Sequence, residues 1–214
     1  MPPSRLRRRP ARCTPAATGA ALFASVGLRS RLNLDPLDSE RPRIPEVRIR
    51  DATAAELPSL RLLYNHYVES THVTFETGPV SMPNRECWLS QFSRSGPHRL
   101  IVAFEGRSVI GYASSSPFHP KPVYASSVET SIYLARKACG NAFGTKLYGH
   151  LLTLLDAEEA VHRMYAGVTL PNDPSVALHR KLGFSLAGTL SEVPRKSGRF
   201  WDLCWFERSA RDHG

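Results

Sequence analysis

The stretch SIYLARKACGNAFGTKLYGHLL, residues 131–152, constrains the fold of this chain more than any other part of it. Its apolar start predicts a strand, its middle a short loop with glycines, and its end a helix with one apolar face. Such an arrangement places main-chain N–H groups at a helix N-terminus, where they can bind phosphate. The stretch therefore predicts an α/β protein with a candidate phosphate cradle, although an ordinary turn that binds nothing has the same pattern.

The rest of the chain alternates between strand-like and helix-like segments. Thr53 and Glu56 form a capping-box pattern before the first helix, and the turn at residues 105–107 joins two strands into a hairpin. Strands are predicted at 47–52, 99–106, 108–118, 127–135, 163–169, 184–193 and 199–207, and helices at 53–70, 81–95, 145–160 and 173–183. This order predicts an α/β fold with a single mixed central sheet flanked by helices.

The net charge of +9 is concentrated at the N-terminus. Residues 1–34 contain seven arginines and no lysine or acidic residue, which leaves only +2 for the other 180 residues. A nearly neutral body with a basic tail does not indicate a nucleic-acid-binding domain. No apolar run approaches the roughly 18 residues that a membrane span needs. The four cysteines form no CxxC pair, which favours reduced thiols, a cytoplasmic location and no metal site.

The composition also divides the chain into three parts. Residues 1–46 are rich in Arg, Pro, Ala and Ser, which predicts a disordered extension or linker. The basic start followed by a short apolar stretch leaves a targeting segment open as an alternative. Residues 47–208 are predicted to form the folded domain, and residues 209–214 a short tail.

Five separated motifs in the folded part resemble the GCN5-related N-acetyltransferase (GNAT) superfamily, and within it the phosphinothricin acetyltransferase group. They are YNHYVES with TFET, VETSIYL, GTKLYGHLL, LPNDPSVALHRKLGF and KSGRFWD, at residues 64–77, 128–134, 144–152, 170–184 and 196–202. The resemblance implies the GNAT fold, with strands that splay apart at an acetyl-CoA site.

The loop departs from the pattern of the superfamily, which has Gln or Arg, two residues, Gly, one residue, and Gly or Ala. Cys139 takes the Gln/Arg position, Ala142 the first glycine position and Gly144 the last. Because the cradle acts mainly through main-chain donors, we expect weakened rather than abolished cofactor binding. The resemblance implies that acetyl-CoA contacts Ile132, Tyr133, Leu134, Gly140, Asn141, Ala142, Phe143, Gly144, Thr145 and Asn172. For Asn172, a helix cap is the simpler alternative.

Two residues match catalytic positions of the family. Glu129 corresponds to the general base, which would take a proton from the attacking amine through a water. The alternative for Glu129 is a strand-end glutamate in a salt bridge. His179 stands where many members carry a tyrosine general acid, and it could serve as acid or base. The alternative for His179 is a packed core histidine.

The resemblance also gives four candidate acceptor-binding residues, Phe75, Lys121, Tyr124 and Lys196. Lys121 falls where the group has an arginine, so a point charge replaces a bidentate fork, and His119 replaces another basic residue. For Lys196 a surface charge is the alternative. These departures leave room for an acceptor other than phosphinothricin.

The sequence as a whole predicts an acetyl-CoA-dependent N-acetyltransferase. Its acceptor would be the α-amine of a small amino acid or analogue, such as phosphinothricin, methionine sulfoximine or methionine sulfone. The amine would attack directly in a ternary complex. The resemblance also implies a homodimer. An inactive relative that serves as a binding module, and an enzyme for protein N-termini or polyamines, remain alternatives.

Overall fold

The computed structural model of the protein describes residues 47–140 and 142–210, so the predicted extension 1–46, Asn141 and residues 211–214 lie outside the described part. Within the described residues four α-helices and nine strands follow one another, in the predicted order except for the short strands β7 and β8. In chain order they are β1 (Val47–Asp51), α1 (Leu57–Ser70), α2 (Met82–Leu89), β2 (Leu100–Glu105), β3 (Ser108–Pro117), β4 (Ser127–Leu134), α3 (Phe143–Asp156), β5 (Arg163–Thr169), α4 (Asp173–Lys181), β6 (Ser185–Leu190), β7 (Arg195–Lys196), β8 (Arg199–Phe200) and β9 (Leu203–Ser209).

Seven of the strands form one mixed sheet in the order β1-β2-β3-β4-β5-β9-β6. All neighbours are antiparallel except β4 and β5, which are parallel. The predicted single mixed sheet with flanking helices is therefore confirmed.

The two faces of the sheet bury separate cores. One core packs α3 against residues such as Ile101, Val128 and Phe206, and the other packs α1 against residues such as Val102 and Tyr112. Because side chains alternate along a strand, neighbouring residues of β4 point to opposite cores. Glu129 and Tyr133 therefore share the α1–α2 face, and Thr130 and Ile132 share the α3 face.

The capping box before α1 forms as predicted. Glu56 accepts a hydrogen bond from the main-chain N–H of Thr53 at 2.8 Å. Arg50 holds the same carboxylate at 2.8 Å, and this hydrogen bond is the main reason that the pKa of Glu56 falls to about 2. The helix entry is thus fixed by a paired carboxylate at one end of the α1–α2 face.

The C-terminal strands differ from the prediction in one place. Arg199 and Phe200 do not continue into β9 but pair with Arg195 and Lys196 in a separate two-stranded hairpin. Ser197 and Gly198 join them with φ angles of 53° and 80°. Two successive positive φ angles are the geometry of a tight two-residue hairpin turn. The apolar pattern of residues 199–207 concealed the break at residues 201–202 between β8 and β9.

Candidate active site

Strands β4 and β5 separate partway along the sheet. Their register joins Ser127 to Arg163 and extends no further than Glu129 and Tyr165. Just beyond that point the Thr130 hydroxyl donates a hydrogen bond to the Tyr165 carbonyl at 3.0 Å. This side-chain bond takes the place of the main-chain hydrogen bonds that join the two strands up to there. We call the opening that follows the β4–β5 gap. It exposes one edge of β4 to a ligand, and it confirms the predicted splayed strands.

The hydrogen bonds between β3 and β4 decide which β4 main-chain groups face the gap. Ala135 N–H donates to Ile110 at 2.8 Å and Phe118 N–H donates to Ser127 at 3.3 Å. Since bonded pairs recur every second residue, the main chain of Tyr133 is directed to β3, and that of Ile132 and Leu134 to the gap. Three residues of β4 were predicted to contact acetyl-CoA, and the main chains of two of them, Ile132 and Leu134, face the gap.

Part of that edge is already occupied. The Tyr67 hydroxyl donates to the Leu134 carbonyl at 2.7 Å. The main-chain groups of Ile132 and the N–H of Leu134 are therefore the donors and acceptors of β4 that remain for an extended ligand arm. Such an arm would lie along β4 like an added strand.

The loop after β4 turns into α3 through left-handed backbone. Gly140 has φ +83°, and Ala142, the N-cap of α3, has φ 58° and ψ 2°. The first intrahelical bond is donated by Lys146 to the Ala142 carbonyl at 3.1 Å. Among the described residues, the N–H groups of the three residues before Lys146 have no hydrogen-bond acceptor, as is usual in the first turn of a helix. They belong to Phe143, Gly144 and Thr145, as the sequence predicts for a cradle.

The turn into α3 keeps the glycine that close packing requires, Gly144, but has Cys139 where the family has a polar Gln or Arg side chain. A Cβ on Gly144 would lie 3.2 Å from Leu134 Cδ1, so glycine lets α3 approach β4 closely. Cys139 is exposed, and its thiol lies 3.7 Å from the Ala135 carbonyl. Arg136, in the turn Arg136–Ala138 just before, is also exposed and brings a cation to this end of the gap. The residues present fit a ligand with a pyrophosphate and an extended arm.

Glu129 lies at the mouth of the gap, where the β4–β5 pairing ends. Within the described residues its carboxylate makes neither a hydrogen bond nor an ion pair, so the salt-bridge alternative fails for the described chain. Burial raises the pKa of Glu129 above its usual value. A half-buried carboxylate with a raised pKa is a better proton acceptor than an exposed one.

His179 lies in the core below the opposite face of the sheet. Only 3% of it is exposed, and its ring stacks on Phe206 with centroids 5.6 Å apart. Its Nδ1–H donates to the Ser175 carbonyl at 2.8 Å, and its Nε2 lies 3.2 Å from the Tyr148 hydroxyl. Burial lowers the pKa of His179, so the neutral ring accepts from Tyr148 through Nε2.

A buried chain of polar groups links His179 to the gap. The Tyr148 hydroxyl lies 2.6 Å from Oγ1 of Thr130, the residue at which β4 and β5 separate. Tyr148 therefore stands between His179 and the gap. In the sequence Tyr148 is only one residue of the GTKLYGHLL motif, and nothing in that motif indicates a partner for its hydroxyl.

Asn172 has the capping role that the simpler alternative proposed. Its side-chain oxygen accepts from Ser175 N–H at 3.4 Å at the start of α4. The neighbouring Pro171 carbonyl lies 3.1 Å from His72 Nε2, and the His72 ring stacks on Trp201 at 3.9 Å. These contacts hold the start of α4 against the segment after α1. A cofactor contact of Asn172 stays a prediction.

Three of the four predicted acceptor residues, Phe75, Lys121 and Tyr124, are exposed, with Phe75 at 55% and Tyr124 at 42%. Tyr124 lies in the loop between β3 and β4, where its ring contacts His119 at 4.7 Å. The adjacent Phe118 stacks at 4.4 Å on Tyr165, the residue paired with Glu129. The loop therefore flanks the mouth of the gap.

Lys196 is buried, with 7% exposed, which excludes the surface-charge alternative. Its ammonium donates to Thr74 Oγ1 at 2.6 Å and to the Thr74 carbonyl at 3.3 Å. Burial lowers the pKa of Lys196. These bonds tie the β7–β8 hairpin to the segment that holds Phe75. Contact of Lys196 with an acceptor stays a prediction.

The chain as a whole is similar to known acetyltransferases. Residues 60–184 match the model of the acetyltransferase (GNAT) family. A phosphinothricin N-acetyltransferase of Streptomyces coelicolor is 46% identical over 78% of this chain and 98% of its own length. An L-methionine sulfoximine/L-methionine sulfone acetyltransferase of Pseudomonas paraeruginosa is 33% identical over 74% of this chain and 92% of its own length. The crystal structure of a phosphinothricin acetyltransferase from Sinorhizobium meliloti in complex with acetyl-CoA has a TM-score of 0.70 and 33% identity, over 76% of this chain and 88% of that one.

The fold, the open strand edge and the helix N-terminus thus define an acyl-transfer enzyme. The chain belongs to the GNAT family and is an N-acetyltransferase that transfers acetyl to an amino group. Among the described residues, no helix is both long and apolar enough to cross a membrane.

Proposed function

We propose that the enzyme transfers acetyl from acetyl-CoA to the α-amine of a small amino acid or analogue of the phosphinothricin, methionine sulfoximine or methionine sulfone type. The observation that carries this proposal is the half-buried carboxylate of Glu129 at the mouth of the β4–β5 gap, which has no hydrogen-bond or ion-pair partner among the described residues. The names of the Streptomyces and Pseudomonas relatives support the acceptor class. The amine would attack directly in a ternary complex, without a covalent enzyme species.

Each part of the site then has one task. When bound, acetyl-CoA supplies the thioester that the amine attacks. Ile132 and Leu134 bind the extended arm through main-chain hydrogen bonds, and the free N–H groups at the start of α3 bind phosphate. Glu129 accepts the proton of the arriving ammonium group, through a water.

For His179 we propose a positioning role that acts through Tyr148. The neutral imidazole fixes the Tyr148 hydroxyl, and this hydroxyl is 2.6 Å from Thr130 at the origin of the gap. His179 would then act by fixing Tyr148 and Thr130 at the point where β4 and β5 separate, and would not itself touch the substrate.

The pH dependence of stability tests the buried neutral state of His179. Because the pKa of His179 is lowered in the folded protein, the unfolded chain binds a proton that the folded one does not. The wild type should lose stability as the pH falls through about 6.5, the unfolded value. His179→Phe should flatten this loss between about pH 6.5 and 5, and should cost about 1–3 kcal/mol at pH 8 because Tyr148 loses its partner. Urea unfolding at several pH values measures both effects.

The matched control is His150→Gln on the exposed side of α3, which should leave the pH dependence unchanged. An unaltered pH dependence in His179→Phe would show that the ring is not held neutral in the folded protein.

The proposed function itself is tested in two steps with the full chain. Calorimetric titration should show acetyl-CoA binding with a dissociation constant of about 1–50 µM, and thiol release should then report turnover with methionine sulfone or phosphinothricin. No binding up to about 1 mM from a folded sample would instead support the inactive relative, because it would mean that Cys139 and Ala142 mark a lost cofactor site. If the enzyme binds acetyl-CoA but acetylates only polyamines or peptide N-termini, these amines and not small amino acids are its acceptors.

A homodimer is part of the same proposal. Leu186, Leu190, Val193 and Phe200 are large apolar side chains that are each about half exposed, at 47–57%. They lie on or beside β6, which is the edge of the sheet, and on the β7–β8 hairpin. Grouped exposed apolar residues on a sheet edge favour an interface. The cytoplasmic location and the absence of a metal stay predictions.

A further inference from the structure

We propose that Arg85 binds the oxygen-bearing end of the acceptor side chain, in a cavity beside Glu129. This inference rests on the proposed function, since it assigns a subsite to the same acceptor. The cavity has a volume of about 260 Å³ and is lined by α1, α2 and the β3–β4 surface. That volume suits the side chain of one amino acid rather than a peptide.

The cavity opens on the face of the sheet that carries Glu129. Its floor includes Ser131 and Tyr133 of β4, which share a face with Glu129 because side chains alternate along the strand. Ser131 is two residues from Glu129, a separation of about 7 Å along a strand. A molecule whose amine lies at Glu129 can therefore extend its other end into the cavity.

Arg85 is the unusual residue of this cavity. Only 4% of it is exposed, yet Nε and Nη2 are buried and have no hydrogen-bond partner within the described residues. Two buried guanidinium nitrogens that lack acceptors are costly, and a ligand oxygen would remove that cost. Its planar fork matches two oxygens on one centre, as in a carboxylate, a phosphinate or a sulfone.

The aromatic walls hold this guanidinium in place. It lies 3.9 Å from the centre of the Tyr64 ring and 4.4 Å from that of Trp88. These contacts stabilise the positive charge and fix the plane of the fork, while they leave the edge donors free. The site is therefore preorganised before a ligand arrives.

Two pairs of polar side chains in the cavity are hydrogen-bonded to each other. Glu76 accepts the Tyr64 hydroxyl, and no ion pair within 4 Å joins Glu76 to Arg85 in the described chain. The hydroxyls of Ser114 and Ser131 lie 3.0 Å apart, so one of their two hydrogens remains free to donate. Arg85, with support from this serine pair, is then the oxygen-binding element.

The distance from Glu129 identifies which end of the acceptor Arg85 binds. The α-carboxylate is attached to the same carbon as the reacting amine, so it stays close to Glu129. A group at the end of a three- or four-atom side chain reaches the residues around Ser131. The subsite therefore selects acceptors whose side chain ends in S=O, P–O⁻ or C–O⁻.

Arg85→Gln and Arg85→Lys test this subsite, because loss of an acceptor-binding contact should change KM while kcat stays nearly constant. For methionine sulfone and phosphinothricin, Arg85→Gln should raise KM by about tenfold to a hundredfold and change kcat little. For methionine, which lacks the oxygens, KM should change less than about threefold. Arg85→Lys keeps the charge but loses the fork, so its KM for these two acceptors should lie between those of the wild type and Arg85→Gln.

The matched control is Arg94→Gln, which removes the same charge from an exposed position after α2 and should change no KM. Thermal unfolding and the acetyl-CoA dissociation constant show whether each variant is folded. If neither Arg85 variant folds, the wild-type KM values still decide, because the subsite requires methionine sulfone to be favoured over methionine by about tenfold.

The subsite would be overturned, while the proposed function stands, if the Arg85 variants changed KM equally for methionine and methionine sulfone. Equal wild-type KM values for these two acceptors would overturn it as well. A wild type that binds acetyl-CoA but acetylates no amino acid of the series would overturn the proposed function, and the subsite with it. Separate KM increases for phosphinothricin and methionine sulfone show whether the fork favours a charged or a neutral oxygen group.

Discussion

Glu129→Gln should lower turnover about a hundredfold or more and leave acetyl-CoA affinity nearly unchanged. The amide has the size of the carboxylate but cannot accept the proton of the arriving amine. Because the side chain lies beside the gap and no described residue pairs with it, its replacement removes no structural contact. Thiol release at saturating acetyl-CoA measures turnover, and calorimetry measures the affinity.

Stability separates this effect from damage to the fold. Burial raises the folded pKa of Glu129, so this carboxyl favours folding when protonated at low pH and loses that contribution as the pH rises through the folded pKa. At pH 7–8 the glutamine variant should therefore be at least as stable as the wild type. Glu69→Gln on the exposed side of α1 is the matched control. Wild-type turnover in Glu129→Gln would refute the assignment of the base.

Restoring the family pattern in the loop should tighten acetyl-CoA binding. Ala142 has φ 58°, where a Cβ costs about 1 kcal/mol, and its methyl group stands at the start of the cradle. Cys139→Arg adds a cation that can bind phosphate. The double variant Cys139→Arg/Ala142→Gly should lower the dissociation constant about tenfold or more, and Ala142→Gly alone should stabilise the fold by about 0.5–1 kcal/mol.

Ala157→Gly is a matched control for the glycine substitution. Ala157 caps the other end of α3 with φ −82°, an angle that alanine adopts without strain. Glycine at this position should lower stability slightly through unfolded-state entropy and leave cofactor affinity unchanged. If the double variant binds acetyl-CoA no more tightly than the wild type, residues 139 and 142 do not limit the affinity of this loop.

The two predictions together separate the base from the cradle. Glu129 acts on the proton of the acceptor, so its loss should appear in turnover. Ala142 and Cys139 act on the bound phosphate, so their change should appear in affinity. An enzyme that responds in both ways is an active acetyltransferase with a weakened cofactor loop, and not an inactive relative.

Several features of this enzyme follow from the sequence alone because they depend on local patterns. The strand, loop and helix of residues 131–152, the capping box at Thr53 and the hairpin at Glu105 are encoded by periodicity and by turn residues. The separated motifs identified the family, and with it Glu129 as the candidate base. These signals need no knowledge of which residues meet in space.

Other features were decided only by the tertiary structure. Arg85 on α2 has the pattern of a solvent-facing helix residue, and only the packing of α2 against α1, where Arg85 lies over the Tyr64 ring, buries it. The register of β3 against β4 turns the main chain of Tyr133 away from the gap, and the packing of α3 against α4 places Tyr148 between His179 and Thr130. Burial, register and long-range hydrogen bonds depend on the whole chain, and a local pattern does not contain them.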